Sequence, residues 1–63
     1  MNAQETFEKF LKLVGKEVEV GQSSTGKKLI GKITNAMFDS FILEDSKDKH
    51  IIRFNDLIFV NEL

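Results

Sequence analysis

A mostly β fold is predicted: one N-terminal helix followed by five short strands that form a small, strongly bent barrel. Three observations predict it. Residues 2–14 carry apolar side chains at helical spacing, whereas the rest of the chain breaks into short apolar runs separated by polar turns. No proline occurs, which suits paired strands that use every backbone donor. Several runs are apolar on both strand faces, and residues 51–60, IIRFNDLIFV, show this most clearly. A half-exposed antiparallel strand would show one polar face instead.

In the helix, Phe7, Phe10, Leu11 and Val14 fall at i, i+3, i+4 and i+7, one apolar stripe expected to lie on a sheet. Asn2 suits the N-cap, and Glu5 takes the reciprocal place of a capping box. Gly15 suits the stop, and Lys12 and Lys16 suit the negative end of the helix dipole.

The first strand, about 16–20, alternates Val18 and Val20 against Glu17 and Glu19. Residues 21–26 form a polar turn. The second strand covers about 27–37, with Leu29, Gly31 and Ile33 on one face. A glycine at mid-strand implies a sharp bend or a close backbone approach. The third strand covers 38–44 and the fourth 49–54, separated by a turn at residues 45–48. The fifth covers about 57–61, after a hinge at Asn55-Asp56, residue types that hydrogen-bond their own backbone in turns. Alternation places Leu57 and Phe59 on one face of this strand and Ile58 and Val60 on the other.

The chain has 63 residues, enough for one domain with a marginal core. It has no cysteine, so neither a disulfide nor a thiolate–zinc site can brace it. Self-association is the remaining support, and one helix cannot cover every apolar strand face. The surplus predicts a subunit interface, with Ile51, Ile52, Ile58 and Val60 as its candidate residues. No run is long enough to span a bilayer and no signal-peptide pattern opens the sequence, so a cytoplasmic protein with no membrane partner is expected. The net charge of −1 argues against bulk binding of duplex nucleic acid, which relies on neutralising many phosphates. A local basic site remains compatible with it.

Two stretches resemble the Sm-like (Lsm) proteins. Ile52-Arg53-Phe54-Asn55-Asp56-Leu57 is similar to their second motif, apolar-Arg-Gly-Asn/Asp-x-apolar. Gly26-Lys27-Lys28-Leu29-Ile30-Gly31-Lys32-Ile33 is similar to the opening of the first, two glycines five apart and then an apolar residue. Gln4-Glu5-Thr6-Phe7-Glu8-Lys9-Phe10-Leu11 resembles the N-terminal helix of the bacterial branch, the Hfq-type RNA chaperones. The resemblance implies a homo-oligomeric ring, a hexamer or heptamer, in which the fourth strand of one subunit pairs with the fifth of the next. It also implies binding of single-stranded, uridine-rich RNA near the pore, with no cofactor and no catalysis. Gln4, Arg53 and Asn55 fall in its RNA-contacting motifs, and Phe38 or Phe41 offers a stacking surface. The sequence also departs from the pattern. Counted from Gly31, the family's Asp falls on Met37, its base-contacting Asn on Phe41, and the Gly of the second motif on Phe54.

Each candidate also has a plainer reading. Arg53 is either a guanidinium presented to nucleotides or an edge arginine paired to Asp56 or Glu62. Gln4 is otherwise a solvated first-turn residue, and Phe38 and Phe41 are otherwise core. Residues 21–27, GQSSTGK, match most of a phosphate-binding loop, but Lys28 stands where its Ser or Thr belongs and a strand follows, so a hairpin turn is expected. Glu44, Asp45 and Asp48 read as a turn rather than a metal loop. His50 is the single histidine, read as a partly exposed strand residue, and no nucleophile–base pair can be assembled around it, so no enzyme is expected. A protein-interaction module of SH3-like architecture is the alternative function.

Overall fold

The computed structural model describes residues 3–63, and the proposed cap Asn2 lies outside them. One helix, α1 (Ala3–Leu13), precedes β1 (Glu17–Gln22), β2 (Lys28–Ala36), β3 (Ser40–Glu44) and β4 (Lys49–Arg53). A single 3₁₀ turn, Phe54–Asp56, leads into β5 (Leu57–Glu62). The five strands form one antiparallel sheet in the order β4-β3-β2-β1-β5. The sheet is open: β4 and β5 are its two edges, each hydrogen-bonded on one side within the chain.

The elements follow from the side-chain pattern. Val18 and Val20 alternate into the core, and Ile33, Phe41, Leu43 and Ile52 meet them there. Gly31 lies where two backbones come together: a Cβ at this position would stand 2.7 Å from the carbonyl oxygen of Glu44. Of the two expectations for a mid-strand glycine, the close approach is the one observed. A register shift between Ile33 and Asn35 adds an irregularity to β2 beyond it.

The helix differs from its predicted stripe. Phe10 is fully buried and Phe7 and Leu13 pack partly against the core, whereas Leu11 and Val14 are 48% and 40% exposed. The reason lies just past the helix. Gly15 N–H donates to Ile33 O (2.7 Å) and Ile33 N–H to Lys16 O (3.1 Å), which draws residues 15 and 16 onto β2. The helix ends there, with Gly15 at φ +90°, and the Leu11–Val14 flank stays outside.

A bulge corrects the predicted faces of β5. Gly21 pairs with Phe59 but Gln22 with Leu57, so Ile58 is the extra residue. Leu57 and Val60 consequently both pack against the core, and Ile58 is turned out at 64% exposure. Phe59 lies over Gly21, where a Cβ would collide with the ring. Alternation in β4 holds, and it corrects the interface assignment of Ile52. That side chain is buried in the protomer's own core, while Ile51 faces out at 69%.

The turns are built by side chains. At β1–β2, Gln22 N–H donates to Lys27 O and Gly26 N–H to Gln22 O (both 3.0 Å), a hairpin rather than a phosphate cradle. At β3–β4, Asp45 Oδ1 accepts from the N–H groups of Lys47 and Asp48 (both 2.8 Å), and Oδ2 lies 2.9 Å from His50 Nε2. The backbone donors of Asp48 and Lys47, with the His50 side chain, hold the Asp45 carboxyl down at about 2 against an ordinary 3.8. A carboxyl whose pKa is lowered on folding stabilises the fold above its unfolded value, and that contribution is lost as pH falls through the folded one. Acidification from about pH 4 to about 2 should therefore lower the melting temperature of the wild type more than that of Asp45→Asn, which keeps the acceptor oxygen but not the charge. Parallel melting curves over this window would exclude the turn as an acid-sensitive element.

No helix among the described residues is long and apolar enough to cross a membrane.

Candidate functional site

Three separate segments meet at the opening between the two sheet edges. The β2–β3 turn is closed by Met37 N–H donating to Ser40 O (2.7 Å), which leaves Phe38 and Asp39 at its tip. Phe54 N–H donates to Asp39 O (3.1 Å) and Ser40 pairs with Arg53 in the ladder, so this tip is fixed beside the end of β4. The 3₁₀ turn is fixed in its own right by Asp56. Ser24 donates to its carboxylate through both N–H and Oγ (2.8 Å each), and Ser23 N–H donates to its carbonyl (2.8 Å). Arg53 and Asn55 thus project from a segment clasped at both ends.

These segments enclose an open cavity of about 660 Å³. Phe38, Asp39, Arg53 and Asn55 line one side, α1 contributes Thr6, Lys9 and Phe10, and β5 contributes Leu57 through Val60. The floor is aromatic. Phe41 stacks on Phe10 at 4.5 Å and on Phe54 at 5.8 Å, and Phe10 meets Phe54 at 4.9 Å. Phe41, with no exposed surface, is therefore core. Phe38 is not: it is 62% exposed and touches only the Phe7 ring among the aromatics, at 5.9 Å and 45°.

Both carboxylates offered as plain partners for Arg53 are engaged elsewhere. Asp56 is held by Ser24, and Glu62 faces Lys16 at 3.4 Å. Arg53 is exposed and makes no ion pair among the described residues. An exposed guanidinium beside an exposed ring in an apolar recess can grip an anion while a flat group stacks.

The structure brings Phe38, Arg53 and Asn55 together and leaves Gln4 apart. Gln4 does not line the cavity, and its amide reaches Glu8 Oε1 at 3.4 Å. Sequence reasoning missed Lys9 and Asp39. A signal for Lys9 existed, since it sits beside Phe10 and three residues after Thr6, on the flank of the buried stripe. Asp39 was hidden by reading residues 38–44 as one strand, when the strand begins at Ser40. Comparison with known protein families and with curated proteins finds no match for this chain.

Proposed function

We propose that this chain is an Sm-like protein that assembles into a homo-oligomeric ring of six or seven copies and binds single-stranded RNA near the pore. Its role is that of a cytoplasmic RNA chaperone, and no chemistry is performed. The observation that carries the reading is Arg53, with no ion pair among the described residues, lining the same largely apolar cavity as exposed Phe38. Assembly is supported by the strand order, whose free edges are β4 and β5, the pair that joins neighbouring subunits in that family. Exposed Ile51 and Ile58 lie on those same strands. A ring closes both edges, which otherwise invite uncontrolled pairing.

In this reading Phe38 stacks on a base, Arg53 and Lys9 hold phosphate or base acceptors, and Asn55 adds a hydrogen bond. Gln4 contributes only outside the cavity. Arg53→Ala should weaken binding of short RNA about tenfold or more, since hydrogen bonds to charged groups contribute about 1.5–3 kcal/mol. The ring should stay intact. The measurement is a titration with oligouridine and oligoadenine at two salt concentrations, with affinity falling as salt rises. Unchanged affinity in a folded, assembled variant removes Arg53 from the site.

One observation favours a second reading, a protein-interaction module. Among the described residues seven large apolar side chains are exposed, on a chain of net charge −1, a surface that also suits a protein partner. Native mass separates the two, because a stable single copy supports the module and a ring supports the first reading.

A further inference from the structure

The geometry points to guanine, rather than uracil, as the base that the Phe38–Arg53 cavity prefers, an inference that rests on the RNA-binding reading above. Stacking on Phe38 cannot choose between bases, because every base has a π-face. The choice falls to polar groups fixed near the ring, and Asp39 is the nearest in sequence, on the same cavity wall.

Asp39 is exposed, and its place is set by the backbone bond from Phe54 N–H to its carbonyl. Ser40 Oγ donates to Oδ1 at 3.2 Å, and Oδ2 makes no hydrogen bond among the described residues. An ionised carboxylate only accepts. The Watson–Crick edge of uracil is a carbonyl, one N–H and a second carbonyl, so a carboxylate set against it meets two repelling oxygens for one bond. The corresponding edge of guanine carries two adjacent donors, N1–H and the N2 amino group, which match the two oxygens of a carboxylate. Cytosine and adenine each offer an amino donor beside an unprotonated ring nitrogen. On its other edge guanine presents O6 and N7, acceptors suited to Arg or Lys, and Arg53 and Lys9 both line the cavity. Guanine is the base that offers the carboxylate two adjacent donors and still presents acceptors to the cations, whereas cytosine and adenine offer it one.

The test uses the full chain and fluorescence anisotropy with labelled pentamers: UUUUU, AAAAA, and UUGUU, whose single guanine avoids self-association. UUGUU should bind the wild type about tenfold tighter than UUUUU, the discrimination expected of one good bidentate contact. Asp39→Asn should reduce that difference to within about twofold, weakening UUGUU and tightening UUUUU as the repulsion of the uracil carbonyls is relieved, while leaving the melting temperature unchanged. Arg53→Ala should weaken both oligomers. Equal or tighter binding of UUUUU by the wild type overturns the inference, as does a guanine preference that survives in Asp39→Asn. Failure of every pentamer to bind overturns the RNA reading itself, and the base preference with it.

Discussion

Phe41→Ala should leave most of the chain unfolded at room temperature. Phe41 is fully buried and stacks on rings from two other segments, Phe10 of α1 and Phe54 of the 3₁₀ turn. Deleting a buried phenylalanine ring costs about 3–5 kcal/mol. At roughly 0.05–0.15 kcal/mol per residue, a domain this short has only about 3–9 kcal/mol in total. The loss is thus comparable to the whole stability of a single copy. Chemical denaturation followed by circular dichroism measures the effect. A midpoint within the wild-type error would mean that the aromatic stack is not what joins helix to sheet.

If the proposed ring forms, Ile51→Asp should reduce its native mass to that of a single chain of 7.2 kDa. Ile51 is 69% exposed on an edge strand, so the substitution leaves the protomer's own core intact. In a strand-paired ring the same side chain is covered, and an unpaired carboxylate buried there costs several kcal/mol at every contact. In the proposed ring each copy would use both edges, so one substitution would act at every junction. Sedimentation at high concentration reads the outcome. A wild type that remains a single copy removes the ring, and an Ile51→Asp variant that keeps its mass places the interface elsewhere.

Much of the fold was legible because alternation and turn chemistry are local. Val18 and Val20 announce a core face by themselves, and residues 21–26 announce a hairpin by composition. Features that depend on a partner strand were not legible. The bulge at Ile58 exists only in the register of β5 on β1, so a strict period of two assigned Phe59 and Val60 to the wrong sides. The site was half legible for the same reason. Arg53 stood out as a charge within an apolar run. The engagement of Asp56 and Glu62 elsewhere, which leaves it without an ion pair among the described residues, depends on Ser24 and Lys16, 32 and 46 residues away from those carboxylates. Leu11 and Val14 were misplaced because their exposure follows from the contact of residues 15 and 16 with Ile33.

The strand order has a kinetic consequence. From β1 to β4 every pairing joins consecutive strands, so three hairpins can each form over short stretches of chain. Only β5 must travel back across the whole meander to reach β1, closing a long loop before its contacts can repay the lost entropy. Its arrival is therefore the step expected to set the pace of folding. Until it docks, β1 presents bare amides to any other β5 nearby, which makes crowded, newly made chains prone to exchanging that strand with one another.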